Sequence, residues 1–113
     1  MVASAYVPNR GDIIWIDFSP TRGHEQSGKR PALVLSPRSY NQASNLMVAC
    51  PITSKVKKYP FEVPITIGRI NGVVLADQVK NLDWSLRAIR FETEAPAGVV
   101  EKTQVFIEGL IKG

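Results

Sequence analysis

Two short apolar runs separated by twelve polar or turn-forming residues, Ser19 to Arg30, constrain this chain more than any other feature. Ile13 to Phe18 is built mainly from β-branched and aromatic residues, and Ala32 to Leu35 is a brief apolar run that Pro37 closes. Both read as strands. Connectors between paired strands are ordinarily short, roughly two to five residues, and longer ones are commonly functional. Within this one stand Arg22, His24, Glu25, Gln26, Lys29 and Arg30. Together they offer cations for phosphate, groups that move protons and an amide for base edges. Gly23 and Gly28 let the backbone turn without a Cβ penalty.

The rest of the chain continues in short strands. Ile14, Ile16 and Phe18 alternate with Ile13, Trp15 and Asp17, so the first strand has apolar residues on both faces and belongs to a sheet that is curled or covered. Ser36 to Asn45 is a polar connector with room for one helical turn. Leu46 to Ile52 is a third strand, and Lys55-Val56-Lys57-Lys58-Tyr59-Pro60 is a basic loop bearing an aromatic. Phe61 to Ile67 is a fourth strand, which Pro64 confines to an edge or a bulge. Asn71-Gly72 is a tight-turn signal, Val73 to Val79 a fifth strand, Asn81 to Ser85 a turn, and Ala88 to Glu92 a sixth strand. The period then changes. Val99, Val100, Phe106, Ile107, Leu110 and Ile111 recur at helical spacing, and Pro96 suits a first turn, so an amphipathic helix is expected over 96–111. The expectation is one mainly β domain over residues 1–113 with small α content: a partly open barrel of five to six strands and a C-terminal helix.

Charge narrows the partners. Residues 1–60 hold eight Lys and Arg against three Asp and Glu, while residues 61–113 hold six against seven. A basic half fits an anionic partner, nucleic acid above all, or else a solubilising surface. A single cysteine, Cys50, excludes an intramolecular disulfide and any Cys-rich zinc site. It lies in an apolar run and reads as a small buried hydrophobe. No basic leader precedes an apolar core and no apolar run would span a bilayer, so the expected location is cytoplasmic.

The segment from Gly11 to Pro37 resembles the signature of the MazF/PemK toxin endoribonucleases of type II toxin–antitoxin systems: a Gly-Asp start, an apolar strand, Asp-Phe-x-Pro-Thr-x-Gly-x-Glu-Gln, then Gly-x-Arg-Pro and a second apolar strand. Leu75-Ala76-Asp77-Gln78-Val79-Lys80 is similar to the family's second block. The resemblance covers nearly the whole chain. It implies an SH3-like barrel, shared with Kid and with the CcdB toxins. It also implies a homodimer, and an antitoxin of the MazE/PemI kind whose acidic tail folds onto the basic face.

The residues themselves limit the chemistry. One histidine rules out a two-histidine acid/base pair within one chain, and no Gly-rich phosphate loop or two-metal carboxylate spacing is present. The simplest route to RNA cleavage therefore needs no metal and no cofactor. The 2′-hydroxyl attacks the adjacent phosphorus and the 5′-oxygen leaves, giving 2′,3′-cyclic phosphate and 5′-hydroxyl ends. That reaction requires a base, an acid and donors for the developing charge. Arg30 carries a planar fork that matches a phosphate at two points, unless it serves only a surface ion pair. The family gives the matching arginine a catalytic role, in some accounts as acid and base. Arginine keeps its proton to about pH 12, so charge stabilisation with late proton donation is the easier part. Thr53, ending the third strand, can donate a hydroxyl to a phosphate oxygen or cap its own backbone. Glu25 is either the base or the residue that orders the loop.

The remaining candidates bind rather than react. His24 has a titratable ring in a polar loop, where it either does acid/base work or is merely solvated. Asp77 and Gln78 match the block associated with base recognition. Lys55, Lys57 and Tyr59 could hold phosphates and stack a base, as single-strand binders do. Gln26, Lys29 and Ser54 complete the RNA-binding set. Two other readings use the same fold: a CcdB-like gyrase-binding toxin, disfavoured by an end Leu110-Ile111-Lys112-Gly113 without Trp, and a non-catalytic RNA-binding module.

Overall fold

A computed structural model describes residues 6–18 and 28–113. Its strands are β1 (Asp12–Asp17), β2 (Lys29–Val34), β3 (Leu46–Thr53), β4 (Glu62–Ile67), β5 (Ile70–Leu75), β6 (Lys80–Asp83) and β7 (Arg90–Glu94). Two helices, α1 (Arg38–Ser44) and α2 (Val99–Lys112), and a 3-10 turn (Ala76–Gln78) complete the described chain. All strand pairs are antiparallel, in the order β4-β5-β3-β2-β1-β7, with β6 also on β3. The sheet curls into the expected half-barrel, and β4, with its Pro64, lies at the edge.

Strand β3 is the axle. Along one edge it pairs with β2. It also pairs first with β6, from Leu46 to Ala49, and then with β5, at Ile52 and Thr53. Pro51 falls between those two ladders, the stretch where a missing N–H removes no bond from either. The two faces of the sheet are both dry. Ile13, Leu33, Cys50, Ile52, Val63, Val74, Val99 and Val100 form one core cluster, roofed by α2, with Trp15 packed against it. Ile14, Ile16, Phe18, Ala32, Val34, Met47, Ala49 and Leu82 form the other, closed by Tyr6, Trp84 and Ile89. This accounts for the first strand's apolar residues on both sides. Phe106 meets Phe61 edge-on at 6.1 Å, fixing α2 to the start of β4.

Several boundaries differ from those the sequence predicts. There are seven strands among the described residues, because Lys80–Asp83 pairs with β3 where a turn is expected. Strand β5 begins earlier and ends at Leu75. The hairpin between β4 and β5 turns at Gly68-Arg69, with Gly68 at φ +55°, and Asn71-Gly72 lies inside β5. The reason is a close approach: a Cβ on Gly72 would stand 2.1 Å from the carbonyl oxygen of Thr53. Glycine here serves contact between strands, not a turn. The connector after β2 makes a full helix, ended by Asn45 in the left-handed region at φ +61°. Helix α2 begins at Val99 rather than Pro96, because Gly98 at φ +88° interrupts the helical backbone.

A fully buried amide ties the far side together. Asn41 Nδ2 donates to the Pro8 carbonyl at 2.9 Å and the Ser36 carbonyl at 3.0 Å, while its Oδ1 accepts from Ser36 Oγ at 2.6 Å. Its backbone oxygen accepts from Trp84 Nε1 at 2.9 Å. Four segments meet at one residue. Asn41→Ala, which strands several buried partners, should lower stability by about 3 kcal/mol, and Asn41→Asp, unable to donate, should lose a similar amount. Gly72→Ala should cost about 3 kcal/mol through its collision with the Thr53 backbone. Urea unfolding followed by tryptophan fluorescence reads all three, and near-wild-type midpoints would contradict them.

Candidate active site

Arg30 lies second in β2, opposite Ile16 of β1, and is half-buried. Strand β2 meets β3 with Ala32 opposite Pro51 and Leu33 opposite Cys50. Carried two residues further, that register brings Arg30 level with Thr53, and residues level across antiparallel strands share a face. The guanidinium and the hydroxyl thus come from neighbouring strand ends at one end of the half-barrel.

Thr53 is held on three sides. Only 4% of it is exposed. Its backbone pairs with Val73, and the Gly72 backbone presses on its carbonyl. Its Oγ1 accepts the N–H of Lys55 at 3.2 Å, the local turn expected of a strand-end threonine. That bond occupies an acceptor site and leaves the hydroxyl proton to donate elsewhere, so capping and donation are compatible rather than alternative.

Beyond Thr53 the basic loop is exposed. Ser54, Lys55, Lys57 and Tyr59 all face solvent, Tyr59 by 56%. Lys58 adopts the left-handed region at φ +59°. On another side, the 3-10 turn that carries Asp77 and Gln78 packs against β3, β4 and α2. The Ala76 N–H donates to the Phe61 carbonyl at 3.1 Å, which fixes the turn to the start of β4. Asp77 is exposed and Gln78 half-buried. Asp77 is near enough to β3 to act on Cys50, whose thiol is pushed up to about 12, first by burial and then by the Asp77 charge. Such a thiol is no nucleophile at neutral pH.

Lys29 is exposed opposite Asp17 at the open end of the β1–β2 pair. Beside it is a cavity of about 340 Å³ lined by Asp17, Lys29, Asp83, Leu86, Arg87 and Ala88. Arg87 enters this corner by donating from Nη1 to the Asp17 carbonyl at 2.6 Å. Asp83 Oδ1 accepts from the N–H and Oγ of Ser85 and from the Leu86 N–H, and these hydrogen bonds, Ser85 Oγ first, hold its carboxyl below the usual range. Sequence reasoning did not single out Arg87 or Glu62: Arg87 is drawn in by its long-range bond to Asp17, and Glu62 by the loop just before it. His24, Glu25 and Gln26 lie outside the described residues. Among the described residues no three of His, Cys, Asp and Glu gather as a metal-binding set, and no helix is long and apolar enough to cross a membrane.

The comparisons with known proteins bear on the same geometry. The family described as PemK-like, MazF-like toxin of type II toxin-antitoxin system matches residues 9–107. The endoribonuclease toxin MazF of Escherichia coli (strain K12) is 49% identical over 96 residues, covering 84% of this chain and 86% of that protein. The crystal structure of MazF from Deinococcus radiodurans superposes with a TM-score of 0.91 at 46% identity, over 96% of this chain and 100% of that one. A MazE–MazF crystal structure from the same organism gives 0.85 at 47% identity, over 96% and 98%. With the signature strands, the half-barrel and these likenesses in agreement, the chain belongs to the PemK-like, MazF-like family of type II toxins.

Proposed function

We propose that this protein is an endoribonuclease toxin that cuts single-stranded RNA at a short sequence without a metal or cofactor and is silenced by a cognate antitoxin. The observation that supports the reading is the β2–β3 register, which pairs Ala32 with Pro51 and, continued by two residues beyond the paired stretch, would set Arg30 level with the buried Thr53. Relatives called endoribonucleases, and a relative solved with MazE, support the activity and the partner. One domain of 113 residues, acting in the cytoplasm as a homodimer, carries it. Leu110 and Ile111, exposed near the end of α2, give a second copy apolar surface to cover.

In this reading the phosphodiester sits between Arg30 and Thr53. Arg30 grips its non-bridging oxygens in two-point fashion and stabilises the charge that builds as the 2′-oxygen attacks. Thr53 donates its remaining proton to the same group. Glu25 takes the 2′-hydroxyl proton or orders the loop, and Arg30 yields a proton late to the departing 5′-oxygen. The products are a 2′,3′-cyclic phosphate and a 5′-hydroxyl. Lys29, Lys55 and Lys57 hold flanking phosphates, Tyr59 stacks a base, and Asp77 and Gln78 read base edges. His24, Gln26 and Ser54 line the same path.

Purified protein in EDTA should cut unstructured RNA, while an RNA with a 2′-deoxy sugar at the cut should bind and survive. Arg30→Ala should fold normally and lose about 10²–10³ in kcat, and Arg30→Lys should restore little, because an ammonium lacks the fork. Intact RNA under EDTA, or an active Arg30→Ala, would refute the reading. Light scattering should give twice the monomer mass of 12.5 kDa.

A further inference from the structure

Strand β4 contains a residue whose burial runs against its position. Its outward-facing partners by alternation, Pro64 and Thr66, are exposed, whereas Glu62 is only 8% exposed. What covers it is the basic loop. Glu62 Oε2 accepts the N–H of Lys57 at 3.1 Å, and the Glu62 N–H donates to the Tyr59 carbonyl at 3.2 Å. Between those two contacts Lys58 sits in the left-handed region at φ +59°. Oε1 is buried with no hydrogen-bond partner among the described residues. A carboxylate is costly to bury and is rarely buried for stability alone.

The loop is therefore pinned at two points by side-chain oxygens. Thr53 Oγ1 holds Lys55 at the start, and Glu62 Oε2 holds Lys57 in the middle. We propose that Glu62 is a positioning residue for RNA binding: its buried carboxylate folds the segment 54–60 back onto the barrel and so presents Lys55, Lys57 and Tyr59 to a single strand in a fixed arrangement. The proposal rests on the endoribonuclease reading. Its energetic logic is preorganisation. A loose loop must order several long side chains each time RNA binds, and a held loop has already done so. Because the Thr53 backbone keeps its pairing with Val73 and its close approach to Gly72, neither of which involves Glu62, the effect falls on binding rather than on the chemical step.

The experiment compares the full-length wild type with Glu62→Ala, Glu62→Gln and Glu62→Asp. Three quantities are read: amide exchange at Lys57, kcat and KM on a short single-stranded RNA, and affinity for the same oligonucleotide with a 2′-deoxy at the cut. Glu62→Ala should lose protection at Lys57 and raise KM and the dissociation constant about tenfold, with kcat within about twofold. Glu62→Gln retains an acceptor oxygen and should stay near wild type, which a general need for the negative charge would not allow. If Glu62→Ala does not fold, Glu62→Asp carries the test, since it keeps the charge but falls short of Lys57. Protection that persists, protection lost without loss of affinity, a fall in kcat at constant KM, or a Gln variant as weak as Ala would each overturn the proposal. A wild type that cuts nothing defeats the enzymatic reading alone; exchange and oligonucleotide affinity still judge Glu62 by the same outcomes.

Discussion

An ideal Cβ on residue 72 would stand 2.1 Å from the oxygen of Thr53, and much of the architecture follows from its absence. Strand β5 can lie against the end of β3 only because Gly72 contributes backbone alone. That contact lets β3 leave β6, pass through Pro51 and enter the second ladder. The Gly72 contact also holds Thr53 at a strand end, with its backbone paired to Val73 and its Oγ1 accepting from the Lys55 N–H. One missing methyl group thus links the β3–β5 pairing to the backbone position of Thr53.

The two dry faces set the other requirement. A sheet apolar on both sides must find cover twice. The α2 helix supplies it on one side, through Val99, Val100 and Phe106. On the other side Tyr6, Trp84 and Ile89 supply it, and those side chains arrive from irregular segments. Irregular cover needs anchoring, which Asn41 provides by bonding the segment before β1, the turn after β2 and the Trp84 indole. Burying one amide with all its donors met is cheaper than leaving three loops to find their own partners.

What was legible in the sequence follows from range. The first strand's double apolar pattern, the edge position of β4 and the helical period of α2 are local signals, and they appear where expected. Lys80–Asp83 could not be read as a strand, because its pairing with β3, from Ala49↔Lys80 to Leu46↔Asp83, joins residues far apart in the chain and its own pattern is mostly polar. Asn71-Gly72 misled for the same reason: the dipeptide looks like a turn, but the demand on Gly72 comes from Thr53. Of the candidate site, Arg30 and Thr53 were singled out by the motif and by a strand end, and both lie at strand ends in the structure. Glu62 was not, since nothing in an alternating strand announces that a loop will fold over one of its outward residues. His24, Glu25 and Gln26 rest on the motif alone.

The thiol of Cys50 has a different kind of consequence. It is single, wholly enclosed in the middle of β3, and raised to about 12. Burial first, and the Asp77 charge second, keep the thiol protonated at neutral pH while the strand is closed. Oxidants and alkylating reagents therefore meet a cysteine that is both enclosed and protonated in the native fold. Any covalent tag on that sulfur timestamps a moment when the barrel had come apart, so the molecule carries its own internal clock for opening.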